Sequence, residues 1–130
     1  MDCIFCKIIK GEIPSNTVYE DDIVKVIMDI NPCTNGHMLI LPRKHYVDIM
    51  DIPNDVITHI IKVERELNKL VCDKLGADGV TFTQNNGIAQ EVKHFHMHVI
   101  PRYTTDGWKN IFDKDKLDDL KVIYTKLIGD

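Results

Sequence analysis

Residues His94 to Ile100, HFHMHVI, constrain this chain more than any other stretch, because histidine takes every second position until apolar residues take over. In an extended strand successive side chains point to opposite faces, so His94, His96 and His98 share one face at intervals of roughly 6.5–7 Å, and Phe95, Met97 and Val99 share the other. The spacing predicts a strand from Val92 to Ile100, closed by Pro101, with its apolar side on a core and a row of imidazoles lining a polar space. Three of the six histidines of the chain fall within these few residues.

The remaining pattern supplies partners for that strand. Cys3 to Lys10 has apolar residues at Ile4, Phe5, Ile8 and Ile9, the spacing of a short helix, ended by Gly11 and Pro14. Thr17 to Glu20 and Ile23 to Asp29 are rich in β-branched residues and read as a hairpin turning at Asp21 and Asp22. Asn31 to Gly36 is turn chemistry, and His37 to Leu41 a short apolar strand stopped by Pro42. From Asn54, read as the N-cap, apolar residues at Val56, Ile60, Val63, Leu67, Leu70 and Val71 recur at helical spacing until Gly76, which suits a left-handed helix end. Val80 to Thr83 is a further strand, Gln84 to Gln90 a polar loop, and Lys114 to Ile128 a C-terminal helical pattern; the Asp/Lys-rich tail around Lys114 to Lys121, with Trp108, reads as a solvated cap rather than as a shaper of substrate entry. Strands grouped on either side of one long helix predict an α+β fold: an antiparallel sheet of about five strands, the long helix on one face and the histidines on the other.

A chain of 130 residues with 44% hydrophobic composition and no Pro/Gly/Ser-rich linker suits one domain spanning 1–130. The formal net charge of −4 argues against broad binding to a nucleic-acid backbone and favours a small ligand. No apolar run approaches membrane-spanning length, and the start, MDCIFCKIIKGEIP, lacks a leader's apolar core, so a cytoplasmic protein without a membrane partner is expected. Of the four cysteines only Cys3 and Cys6 are close in sequence, which is unlike a secreted disulfide framework. That CxxC pair alone is compatible with redox use, with two ligands of a metal, or with coincidence; Cys33 and Cys72 read as ordinary thiols.

Imidazole titrates near 6.5, so its neutral, nucleophilic form is present at neutral pH without a separate activating base. Attack on phosphorus also needs donors for the equatorial oxygens, and Asn85, Asn86, Gly87 and Gln90 precede the histidines in a loop placed to offer them. Covalent nucleotidyl or phosphoryl transfer is therefore one reading of the triad, and metal ligation is the other.

HFHMHVI, with QEVK before it, IFCKIIKGEIPS near the start, DINPCTNGHMLILPRKH in the middle and QNNG ahead of the triad, resembles the histidine triad (HIT) superfamily across Cys3 to Arg102. The likeness is to its Hint-like branch and, through the cysteines, to the zinc-containing bacterial type. The resemblance implies a homodimer and a purine nucleotide site that hydrolyses a bond at the α-phosphate of a phosphoramidate or dinucleotide. It implies catalytic roles for His96, as a nucleophile that becomes nucleotidylated, and for His98, on the phosphate, with His37 orienting from behind. Asn85 and Gln90 would contact phosphate oxygens and Asp29 the ribose, while Ile4, Phe5, Ile8 and Ile27 would enclose the base. It also implies a structural Zn²⁺ held by Cys3, Cys6, His45 and His94. His59 is expected to be a surface or core residue.

Two departures from the family pattern bear on activity. Only Ile88 and Ala89 stand between Gly87 and Gln90, a shorter phosphate loop than the family usually has, and Glu91 replaces a hydroxyl residue that helps the leaving amine. They motivate a second reading, a nucleotide-binding regulatory module with little catalysis. A third is a zinc-stabilised interaction protein in which the triad is structural.

Overall fold

The protein is described by a computed structural model covering residues 2–109 and 111–129. Its elements are α1 (Ile4–Ile9), β1 (Thr17–Glu20), β2 (Val24–Met28), β3 (Met38–Pro42), α2 (Asn54–Leu75), β4 (Gly79–Gln84), β5 (Met97–Arg102) and α3 (Leu120–Ile128), with single 3₁₀ turns at Gly87–Ala89 and Lys114–Lys116. The strands form one antiparallel sheet in the order β1-β2-β3-β5-β4. This matches the α+β expectation, and among the described residues no helix is long and apolar enough to cross a membrane.

The period-two pattern of β3 explains how the two faces are covered. Met38 and Ile40 join Val24, Val26, Phe95 and Val99 under the α2 stripe of Ile60, Val63, Leu67 and Val71. Leu39 and Leu41 point the other way and join Ile27 under Phe5 and Ile8 of α1. All of β3 is buried because both of its faces are covered. The histidine face is therefore not open as expected: α1 lies over part of it, and His94 and His96 are only 0% and 6% exposed.

Several boundaries differ from the sequence reading for identifiable reasons. The β5 ladder starts at Met97, opposite Ile40 of β3 and Gln84 of β4. Ahead of it, β3 has ended at Pro42, and the backbone N–H of Phe95 donates instead to the Tyr46 carbonyl at 2.7 Å. His94 and His96 thus precede the regular strand, yet Phe95 still points into the α2-side core, so the alternation survives without the ladder.

At the far end β5 runs through Pro101 to Arg102. The β3 pairing stops at Val99, and the carbonyl of Pro101 accepts the Thr34 hydroxyl at 2.7 Å on that open side, where the missing proline N–H has no ladder to break.

Asn54 is the first helical residue of α2 rather than its cap; Pro53 occupies the cap position in extended geometry without a side-chain hydrogen bond. Gly76 closes α2 at φ 68°, the left-handed conformation expected of it. The C-terminal pattern splits in two, because Asp113 accepts from the Asp115 N–H and Asp119 from the Lys121 N–H, each starting its own short helix. No α3 side chain is buried, and its exposed residues include Leu120, Val122, Leu127 and Ile128.

Candidate active site

Two loops and α1 converge on the histidine segment. Cys3 precedes α1 and Cys6 lies one turn into it, so a single helical turn presents both sulfurs on one side, with the Cys6 N–H on the Cys3 Sγ at 3.4 Å. His45 follows β3 and His94 precedes β5. His94 Nδ1 lies 3.5 Å from Cys3 Sγ, 3.5 Å from Cys6 Sγ and 3.2 Å from His45 Nδ1, and Cys6 Sγ lies 3.3 Å from His45 Nδ1.

The four donor atoms all lie within 4.8 Å of one another. A tetrahedron with metal bonds of about 2.0–2.3 Å has edges of about 3.3–3.8 Å, so this donor set has the size of a tetrahedral metal site. The His94 ring is already aimed, since its Nε2–H donates to the Pro42 carbonyl at 3.0 Å and leaves the Nδ1 lone pair facing the sulfurs. Burial, the dominant influence, depresses the His94 pKa to about 4, which keeps the imidazole neutral. Burial and the neighbouring Cys3 push the Cys6 thiol up, the penalty that a bound cation would reverse.

The other two triad histidines are fixed by different partners. His96 Nδ1–H donates to the carbonyl of His94 at 2.8 Å, which leaves the lone pair on Nε2. The Phe5 ring stands edge-on to His96 with centroids 5.0 Å apart, and the His98 ring is also 5.0 Å away.

Behind His98 runs a chain of hydrogen bonds. The N–H of Cys33 donates to His37 Nδ1 at 3.0 Å, so His37 carries its proton on Nε2 and donates to His98 Nδ1 at 2.9 Å. His98 is thereby left with an Nε2–H donor. Burial, with lesser contributions from His96 and His37, lowers its pKa to about 4, and burial also pushes His37 down.

Asp29 lies at the same place, with Oδ2 3.5 Å from His37 Nε2 and Oδ1 accepting from the Asn31 N–H at 2.8 Å. Asp29, His37 and His98 are close enough to be taken for a second metal site. The Cys33 N–H argues against it: with Nδ1 of His37 occupied, Nε2 must hold a proton and has no lone pair for a metal.

The remaining predicted residues are only partly brought together. Phe5, Ile8 and Ile27 share one buried cluster with Leu39, whose strand position faces His98 in the β3–β5 ladder. Ile4 stands apart, half exposed, on a cavity of about 560 Å³ bordered by Glu91, Val92 and Lys93. Gln84 pairs with Met97, so Asn85 follows β4 at the level of His96. Gln90 is buried, its Nε2–H donating to the Val47 carbonyl at 2.5 Å while Oε1 has no partner.

Asn86, read from sequence among the loop's donors, instead ties the shortened loop down, accepting from the Ile49 N–H at 2.9 Å and donating its Nδ2–H to Gln84 Oε1 at 3.0 Å. His59 on α2 meets Asp21 at 2.6 Å, a clasp of the β1–β2 turn remote in sequence from the triad. The groups that sequence reasoning missed are mostly main chain: the Cys33 N–H and the carbonyls of Pro42, Tyr46, Val47 and His94. Side-chain identity carries no signal for them.

The fold and the site define a small α+β protein whose chemistry rests on alternating histidines beside a Cys/His cluster able to hold a metal. The HIT domain family matches residues 10–105. An uncharacterised HIT-like protein of Methanocaldococcus jannaschii is 44% identical over 129 residues, 98% of this chain and 99% of that protein. The adenosine 5′-monophosphoramidase of Saccharomyces cerevisiae is 41% identical over 136 residues, 98% of this chain and 84% of that protein. Among solved structures, a zinc-bound histidine triad family protein from Mycobacterium smegmatis is similar with a TM-score of 0.80 at 36% identity, over 88% of this chain and 85% of that one. The chain belongs to the histidine triad (HIT) family.

Proposed function

We propose that this chain, acting as one domain over residues 1–130, is a nucleotide hydrolase or transferase that works at the α-phosphate of a purine nucleoside phosphoramidate or dinucleotide. The observation that carries the reading is the tautomer of His96: with Nδ1–H donated to the His94 carbonyl, the Nε2 lone pair is free to attack. Nε2 forms a bond to phosphorus as the bond to the leaving nitrogen or oxygen breaks, and the leaving group takes up a proton. Water then attacks the nucleotidyl-histidine, the P–N bond breaks, and His96 returns to its starting state with release of the nucleoside monophosphate.

His98 Nε2–H and the amide of Asn85 donate to the phosphate oxygens. Asp29 accepts from the ribose, and Phe5, Ile8 and Ile27, with Ile4 at the edge, form the wall for the base. The activity of the yeast relative, an adenosine 5′-monophosphoramidase, supports a phosphoramidate as substrate.

Cys3, Cys6, His45 and His94 hold Zn²⁺ in this reading, which the tetrahedral size of the donor set and the zinc-bound mycobacterial structure support. Zinc there contributes ligand bonds and a fixed His94; no step of the reaction passes through it. Thiolate ligation needs reduced cysteines, which suits the cytoplasm. A homodimer formed along the β4 side is part of the same proposal, since β4 is the sheet edge left unpaired next to the triad strand.

The decisive test is His96→Ala with an adenosine phosphoramidate. Turnover is expected to vanish with AMP binding retained, and wild-type protein quenched in denaturant should carry label from the α-phosphate; undiminished turnover in the variant overturns the reading. The second reading, a nucleotide-binding module, draws on Gln90, whose amide is engaged by Val47 inside a shortened loop. Tight AMP binding by the wild type without turnover would favour it.

A further inference from the structure

The Cys/His cluster is not sealed from solvent. Cys3 and His45, two of its four donors, also border the cavity of about 560 Å³ beside α1, whose apolar wall is Ile4, Ile13 and Val92. No other cysteine or histidine lines that cavity among the described residues. A small solute that enters it therefore meets the Cys3 sulfur first.

The second sulfur is close at hand. Cys3 and Cys6 are both reduced, and their Sγ atoms belong to a donor set whose members all lie within 4.8 Å of one another. Closing them to a disulfide, with a bond of about 2.05 Å, asks for a small movement. Cys3 stands in extended backbone just ahead of α1, at φ −119° and ψ 122°, so its side chain can turn without unwinding a helical turn. The other two thiols are elsewhere: Cys72 packs against the α2-side core, and Cys33 is exposed in the loop before β3.

We infer that Cys3 and Cys6 are a peroxide-reactive pair that closes to a disulfide and expels the metal, freeing α1 from the histidine segment under oxidising conditions. This rests on the zinc reading above. The Cys3 thiolate attacks one oxygen of a hydroperoxide, the O–O bond breaks, and the departing hydroxide takes up a proton, leaving a sulfenic acid on Cys3. The Cys6 thiolate then attacks that sulfur: the S–S bond forms, the S–O bond breaks, and the second hydroxide takes up a proton. Two thiolates lose two electrons, one peroxide gains them, and with two added protons both oxygens end as water.

Disulfide sulfurs have lost the thiolate charge that binds Zn²⁺, so only His45 and His94 remain as ligands. Phe5, which lies between the two cysteines in sequence and packs edge-on to His96, carries the release of α1 to the nucleophile.

The test uses wild-type protein loaded with zinc chloride and then treated with stoichiometric hydrogen peroxide. Released zinc is read with a chromophoric chelator, disulfides by peptide mapping, and α1 by hydrogen exchange. A Cys3–Cys6 disulfide is expected, with one Zn²⁺ released per disulfide and protection lost over Ile4–Ile9, all reversed by dithiothreitol and fresh zinc. Ile13→Trp, which narrows the cavity, should slow the release severalfold, and an unchanged rate in that variant overturns the cavity as the route. Zinc kept after peroxide has oxidised the exposed Cys33, or Cys3 carried to the sulfinic acid without a disulfide, overturns the pair. Zinc retained alongside the disulfide overturns the release alone. Reduced protein that takes up no zinc refutes the zinc reading, and the release with it, whether or not the disulfide forms.

Discussion

If Cys3, Cys6, His45 and His94 hold Zn²⁺ as proposed, removing it should detach α1 while leaving the rest of the fold standing. Apart from Cys3 and Cys6, α1 is held mainly by Phe5 and Ile8, both 8% exposed. Burying two such side chains contributes about 3–6 kcal/mol. Fixing the backbone of a six-residue helix costs about 6–12 kcal/mol. Packing alone therefore falls short by a few kcal/mol, which is within what a structural Zn²⁺ site supplies, about 10–16 kcal/mol in apparent binding free energy.

The α2-side core contains no residue of α1 and does not depend on this balance. Hydrogen exchange read by mass spectrometry, before and after chelation to a metal content verified by elemental analysis, should show protection lost over Ile4–Ile9 and kept over Ile60 to Val71 and over β3. Activity should fall in parallel, because Phe5 packs on His96, and a Zn²⁺ held as proposed would fix the His94 ring beside the carbonyl that holds the His96 proton. Equal protection of α1 in verified metal-free protein, or an unchanged kcat/KM, would refute the reasoning.

Gly36→Ala should cost more than about 2 kcal/mol in urea unfolding: Gly36 sits at φ 92°, and an added Cβ would meet Leu75 Cδ1 at 2.6 Å and Pro101 Cγ at 3.1 Å. An unshifted midpoint would mean that this turn relaxes freely. Stability should also decline as pH falls below about 6.5. His98 titrates near 4 in the fold and near 6.5 in the unfolded chain, so between those values only the unfolded chain gains its proton, and stability present above 6.5 is lost toward pH 4. A flat melting temperature from pH 7 to 4.5 would contradict this. His37→Phe removes both hydrogen bonds of the relay, whereas His37→Gln keeps a donor for His98. The kcat should fall about fivefold to a hundredfold in the first and less in the second, with little change in KM, and equal losses in both would assign His37 a packing role only.

Residue chemistry made the main outline of this site readable, and main-chain geometry hid the rest. The period-two run at His94 to Ile100 correctly separates Phe95, Met97 and Val99 from the imidazoles, because extended backbone alternates whether or not a ladder is present. Cys3, Cys6, His45 and His94 were legible as a set only through resemblance, since Cys6 and His45 stand 39 positions apart in sequence and nothing local joins them. The cover of α1 over the histidines was not legible. Its apolar spacing announces a helix but not the face it packs on, which is decided by Leu39 and Leu41 pointing opposite to Met38 and Ile40. The burial of Gln90, with its amide on the Val47 carbonyl and Oε1 without a partner, is likewise invisible in the residue pattern, because the Val47 carbonyl that engages it is main chain.

One consequence of that geometry is that three chemically identical side chains on one face do not compete for one task. Each imidazole has a single nitrogen committed to a protein partner, and the identity of that nitrogen decides what the other can do. His94 gives Nε2–H to Pro42 and offers the Nδ1 lone pair to the cysteines. His96 gives Nδ1–H to His94 and offers the Nε2 lone pair outward. His98 accepts at Nδ1 from His37 and presents an Nε2–H. A metal donor set, a lone pair and a hydrogen-bond donor thus arise along one extended segment from three main-chain groups, Pro42 C=O, His94 C=O and Cys33 N–H, the last acting through His37. Substitutions at Pro42 or Cys33 that shift the backbone should therefore disturb the function of a histidine they do not touch, each by reversing one tautomer rather than by removing a catalytic group.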